Sequence, residues 1–214
     1  MISKINNNSP INIAITPFLA DTLINTNFFL KLNDILKIYN LFIYDYSDIE
    51  QKLKVGSIDL GIIDTSFDSS IFDFIHFSTL KVNAFVLSDG KYQDLKRIPR
   101  EQFVASKIVV GAIPSGLGKN TLDGFSNKNI KIKEDNIHFA SSKALMYEMI
   151  KHSDDIGFMY SDAFKNEISE NKLKKIDLYN YNVYQNAYII YDKTNIIDES
   201  LIEHLKTMGE VTDD

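Results

Sequence analysis

Residues 47–64, Ser-Asp-Ile-Glu-Gln-Lys-Leu-Lys-Val-Gly-Ser-Ile-Asp-Leu-Gly-Ile-Ile-Asp, constrain the fold more than any other stretch. The spacing predicts a helix over 47–55. Ser47 and Glu50 read as a capping box, each side chain satisfying a free first-turn N–H. Ile49 and Leu53 share one helix face, and Gly56 supplies the left-handed residue that ends a helix. Ile58, Leu60, Ile62 and Ile63 then form an apolar run short enough for a strand buried on both faces, over 58–64. A helix feeding a buried strand is half of an α/β unit. Ligands of open α/β sheets bind beyond the carboxyl ends of the strands, where Asp64, Thr65 and Ser66 fall.

The rest of the chain repeats this alternation. Strands are expected at 11–15, 41–44, 77–87, 108–113, 137–140, 157–160 and 188–191. Helices are expected at about 19–36, with a weak start at Asn25–Asn27, from Pro99 as a first helical residue, and at 119–125, 143–151 and 201–208. On helix 143–151, Leu145, Met146, Met149 and Ile150 form the expected buried side. Strands alternating with helices indicate an α/β fold with largely parallel sheets. Ser88-Asp89-Gly90 is a turn signal where the chain changes lobe.

Composition removes several classes. No apolar run approaches the roughly 20 residues that span a bilayer, and the first ten residues lack the apolar core of a secretory signal. With no cysteine, disulfides, thiol catalysis and cysteine zinc sites are excluded. A net charge of −6 argues against a general nucleic-acid surface. Lys172, Lys174 and Lys175, the tightest basic cluster, read as a solvated turn.

No catalytic constellation emerges. His76, His138, His152 and His204 have no acidic or serine partner at a recognisable spacing, and read as surface or packing residues. There is no His-x-x-x-His metal pair and no Gly-x-Ser-x-Gly elbow. Asp59 falls inside the expected strand and Asp64 at its end, so with Asp68 they need not converge. Asp154 and Asp155 read as a loop cap. The loop-to-helix junctions carry more chemistry. Pro114-Ser115-Gly116-Leu117-Gly118 follows a strand and opens a helix, whose free N–H groups and dipole favour an anion. Gly116 and Gly118 allow close backbone approach, and Ser115 offers a hydroxyl. Thr16-Pro17-Phe18 and Ser141-Ser142 are analogous junctions, each a helix cap or a ligand donor.

Together these residues resemble the effector-binding domain of LysR-type transcriptional regulators over about residues 11–208. Leu53-Lys-Val-Gly56-Ser-Ile-Asp59-Leu-Gly-Ile resembles the family's Leu-x-x-Gly-x-Leu-Asp-hydrophobic-Ala-Ile signature. Pro114–Lys119 stands where some members have Gly-Ser-Gly-Thr-Arg, and Ile156–Tyr160 resembles the family's Gly-Ile-Ala-hydrophobic-Leu-Pro strand. Leu117-Gly118-Lys119 departs from the pattern: it lacks a threonine donor, and a lysine replaces the planar arginine fork.

The resemblance implies a type 2 periplasmic-binding-protein-like fold, two Rossmann-like lobes joined by two crossing segments with a ligand cleft between them. Residues 1–10 would be a tail or the end of a linker, 11–87 with 188–214 lobe I, and 88–187 lobe II. It implies a cytoplasmic bacterial sensor, not an enzyme, without cofactor or metal, and paired as a homodimer or homotetramer. The implied dimer is antiparallel and uses the helix after the first strand. DNA would be contacted only through an N-terminal helix-turn-helix domain absent from this sequence. The implied ligand is a small anionic metabolite lined by Thr16, Pro17, Ser47, Asp64, Thr65, Ser115, Gly116 and Ser141. Asp64 would instead select an ammonium group if the effector is an amino acid. Alternatives are a free-standing or transport-linked solute receptor of the same fold, and an α/β interaction domain without a ligand. Enzymes of this architecture fit less well: a prephenate dehydratase-like protein would carry a Thr-Arg-Phe-type site, and a porphobilinogen deaminase-like one a cofactor-bearing cysteine.

Overall fold

A computed structural model describes residues 9–194 and 199–208. Most of the expected N-terminal tail lies outside the described residues. In chain order the strands are β1 (Ile11–Ile15), β2 (Tyr39–Ile43), β3 (Leu60–Ile63), β4 (Phe72–Leu87), β5 (Arg97–Ile98), β6 (Ile108–Gly111), β7 (Ile137–Ala140), β8 (Ile156–Tyr160), β9 (Leu173–Leu178) and β10 (Val183–Asp192). The helices are α1 (Pro17–Leu23), α2 (Phe28–Ile35), α3 (Tyr46–Lys54), α4 (Arg100–Ala105), α5 (Gly116–Asn127), α6 (Lys143–Ser153), α7 (Lys165–Ser169) and α8 (Glu199–Met208). The chain divides into two compact units, one running to Thr79 and resuming at Asn186, the other spanning Leu80–Gln185.

In the first unit the strand order is β2-β1-β3-β10. β1 is parallel to β2 and β3, whereas β10 runs antiparallel to β3, with Tyr188 opposite Ile63. All four residues of β3 are buried, as a central strand requires. α3 lays Ile49 and Leu53 onto this sheet, in one core with Ala14, Ile58, Ile63, Phe72 and Ile190. Its end is a Schellman motif: Ser57 N–H reaches the Lys52 carbonyl at 2.9 Å and Gly56 N–H the Leu53 carbonyl at 3.0 Å. Gly56 sits at φ +71°, where a side chain would be strained.

Several local readings are corrected here. α3 begins at Tyr46 with Asp45 as its N-cap, so Ser47 is inside the first turn and no Ser47–Glu50 box forms. Glu50 pairs instead with Lys54 at 2.7 Å. The expected long first helix is two helices, because Asn25–Asn27 form a turn rather than fraying one end. Asp59 precedes β3. Its carboxylate accepts Asn12 N–H at 2.9 Å and its N–H donates to the Asn12 carbonyl at 2.8 Å, fixing the start of β3 beside β1.

In the second unit the order is β5-β9-β4-β8-β6-β7. β6 is parallel to β7 and β8, and β4 runs antiparallel to β8 and β9. Phe103, Phe125, Phe158 and Tyr181 stack edge-on or tilted in its core, neighbouring rings 5.1–6.0 Å apart. β9 overturns the solvated-turn reading for Lys174 and Lys175, which lie in the strand, while Lys172 sits in the exposed bend before it. Leu173, Ile176 and Leu178 are buried, while Lys174 reaches the carbonyls of Gln93 and Leu95. Pro99 caps α4 rather than opening it. On α6 only Met146 and Ile150 are buried, and Leu145 is 52% exposed.

Candidate functional site

β1 and β3 are adjacent and parallel, so their carboxyl ends lie together. Thr16 follows β1 and Asp64 follows β3. The Thr16 hydroxyl donates to Asp64 Oδ1 at 2.8 Å, with both residues buried. The single hydroxyl proton of Thr16 is thereby committed, and toward anything else the oxygen can only accept. Thr16 N–H donates to the Ile62 carbonyl at 3.1 Å, and its carbonyl receives Ala20 N–H at 2.9 Å. Thr16 is the N-cap of α1 by backbone geometry alone, with Pro17 at the first helical position. Thr65 is half-buried next to Asp64, and Ser47 is exposed on α3.

The three aspartates do not converge. Asp59 holds Asn12 and Asp64 holds Thr16. Asp68 accepts the N–H and hydroxyl of Ser70 at 2.8 and 2.6 Å, bonds that hold its carboxyl below the usual range. The N-terminus of α3 already carries Asp45 and Asp48, so its positive dipole end is neutralised by the chain itself. Tyr46 is pushed up to about 12 by burial and by the carboxylates of Glu50 and Asp68.

One part of this region was not legible beforehand. Phe67, Phe74 and Tyr188 form a ring cluster with centroids 5.2–5.8 Å apart, and His76 lies 5.8 Å from Tyr188. His76 and Thr79 both reach Asn186 Oδ1. These residues come from the loop after β3 and from β4 and β10. Only the strand pairing, Tyr188 opposite Ile63, brings them to the end of β3.

The second unit supplies a different chemistry. Ser115 is the N-cap of α5, and its Oγ accepts Gly118 N–H at 3.1 Å. That bond does not use the Ser115 hydroxyl proton, and the N–H groups of Gly116 and Leu117 precede any helical acceptor. The first turn of α5 has no acidic residue, and the helix is 12 residues long. This end therefore presents donors and positive potential. Gly118 serves packing instead of ligand approach: a Cβ there would fall 2.1 Å from the Gly111 carbonyl oxygen of β6. Ser142, not Ser141, caps α6, accepting Leu145 N–H at 3.3 Å, and Ser141 is exposed one residue ahead.

The histidines also gain a partner. His138 Nδ1 lies 3.0 Å from Asp155 Oδ2, and Asp155 is only 2% exposed. Asp154 closes α6 at φ 55° and accepts Lys91 N–H. Among the described residues, no serine or threonine hydrogen-bonds His138. Among the described residues, no three His, Asp or Glu side chains are grouped to hold a metal ion, and no helix is long and apolar enough to cross a membrane.

No protein-family profile matches the sequence. No curated protein matches it either. Solved structures do. The CcmR regulatory domain of Synechocystis PCC6803 in complex with 2-PG aligns at TM-score 0.75 and 11% identity, over 95% of this chain and 98% of that one. The effector-binding domain of QuiR in complex with shikimate aligns at 0.78 and 14%, over 94% and 97%. CbnR, a LysR family transcriptional regulator, aligns at 0.72 and 11%, over 94% of this chain and 70% of that one.

Proposed function

We propose that this chain, whose fold is that of LysR-type effector-binding domains of the type 2 periplasmic-binding-protein kind, is the effector-sensing part of such a regulator. It binds a small metabolite and passes the change to DNA through a separate helix-turn-helix domain. The observation that carries this reading is the match over nearly the whole chain to regulatory domains, two of them bound to small molecules.

The donor and acceptor inventory refines the ligand. The α5 N-terminus and Ser115 suit an anionic group. Thr16, its proton held by Asp64, suits a hydroxyl or ammonium donor, with Pro17, Thr65, Ser47 and Ser141 as further proposed contacts. The ring cluster of Phe67, Phe74 and Tyr188 offers a flat apolar face. The effector is thus a small anion that also carries a hydroxyl or amino donor. Its leverage is its difference in affinity between two conformational states of the protein, and coupling of about 1–3 kcal/mol is typical.

Self-association accompanies this role. Edge strand β2 exposes Ile43 at 61% and Leu41 at 37%, and Leu30 on α2 is 70% exposed. Edge strand β7 exposes Phe139, followed by Leu145 on α6. Unpaired apolar edges of this kind favour a second copy as partner.

The test is calorimetric titration of hydroxy and amino carboxylates into the wild-type chain, Ser115→Ala and Thr16→Val. A loss of about 1–1.5 kcal/mol of binding per removed hydrogen bond is expected. Unchanged affinity of both variants for a bound effector overturns the site. Failure of every carboxylate to bind overturns the sensing role.

A further inference from the structure

A cavity lies at the end of β1 opposite Thr16. α2 ends at Ile35, Leu36 turns to extended backbone, and the chain bends into β2. The Ile38 carbonyl accepts Ile11 N–H at 3.2 Å and ties this corner to the start of β1. α8 packs against α2. Together they surround a hollow of about 300 Å³. Ile11, Ile35, Ile38 and Leu201 give it an apolar lining, and Lys37 and His204 stand at its polar side. His204 Nδ1 donates to the Ser200 carbonyl at 2.6 Å, which fixes that nitrogen as protonated. No carboxylate is among the described lining residues.

We infer that this cavity is a second small-molecule site and that it takes a short amphiphilic carboxylate. The aliphatic tail lies against the isoleucines and Leu201, and the head faces Lys37 and His204. Size fixes the class: the volume is at the lower limit of ligand pockets, about 300 Å³, which suits a chain of about six carbons and excludes a long acyl chain. Charge gives the sign, since a cationic head would meet Lys37 with no counter-charge among the described lining residues. The site is separate from the one proposed above. Five strand residues at roughly 3.3 Å each put about 16 Å between Ile11 and Thr16.

Hexanoate, 1-hexanol and hexylammonium are titrated into the whole chain with labelled isoleucine methyl groups. Hexanoate is expected to shift the signals of Ile11, Ile35 and Ile38, with hexanol at least about fivefold weaker and hexylammonium without effect. Lys37→Glu, at an exposed position, is expected to weaken hexanoate about tenfold, and Ile38→Trp, which fills the mouth, to abolish the shifts. Ser115→Ala is expected to leave hexanoate affinity unchanged. Hexanol binding as tightly as hexanoate, indifference to Lys37→Glu, or dependence on Ser115 each overturns the assignment. So does the absence of shifts at these methyl groups. None of these results depends on whether the sensing role holds.

Discussion

The hydroxyl of Thr16 and the carboxylate of Asp64, 48 positions apart in the chain, meet at 2.8 Å in a buried hydrogen bond. It joins the carboxyl ends of β1 and β3 at the point where the sheet pairing stops. It also decides what the first unit offers a ligand, because the threonine proton is already used.

Thr16→Val keeps the shape of the side chain and removes the donor to a buried carboxylate. A loss of about 1–3 kcal/mol is expected, read as a lower urea midpoint with an unchanged slope. An unchanged midpoint would mean that Asp64 is held fully by its other contacts.

Two glycine substitutions separate two kinds of cost. Gly56→Ala places a Cβ in open space at φ +71°, and a loss of about 1 kcal/mol is expected. Gly118→Ala drives a Cβ into the Gly111 carbonyl, 2.1 Å away, where backbone must move. Its cost is expected at about 3 kcal/mol or more. Chemical denaturation of both variants checks the order, and equal costs would contradict the close packing of α5 on β6.

Alkaline stability follows from Tyr46. Its folded value, about 12, lies above the usual 10 because burial and two carboxylates disfavour the phenolate. The folded state therefore holds the proton more tightly than the unfolded state. The contribution is complete below pH 10 and is lost as pH rises toward 12. Tyr181 and Tyr191, also raised by burial, act in the same direction. Tyr46→Phe is expected to flatten part of the fall in stability above pH 10, and denaturation series at pH 9 to 11.5 measure it. An unaltered slope would place Tyr46 in water.

His138→Ala leaves the Asp155 carboxylate, 2% exposed, without its ring partner. A loss of about 2 kcal/mol is expected, and the double variant His138→Ala with Asp155→Asn is expected to recover part of it. The thermodynamic cycle over these variants measures the coupling.

The legible parts of the fold were those written in consecutive residues. α3 and β3 were readable because Ile49, Leu53, Gly56 and the apolar run each act over one or two turns of chain. The cap of α3 was misplaced because Asp45 and Ser47 are both capping residue types, and the extended backbone at Asp45 decides between them. β9 was missed because Lys174 and Lys175 mask the buried Leu173, Ile176 and Leu178. The Ser115 cap was local and readable. The Thr16–Asp64 bond, the ring cluster and the His138–Asp155 pair require knowing which strands are neighbours.

The antiparallel place of β10 beside β3 has a consequence during synthesis. Residues 80–185 emerge from the ribosome as an uninterrupted piece and complete their unit in order. The first unit cannot. One edge of β3 waits, with its backbone groups unpaired, until Tyr188–Ile190 have been translated more than 120 residues later. A nascent chain stalled before that point leaves the β3 edge open to pairing with another strand.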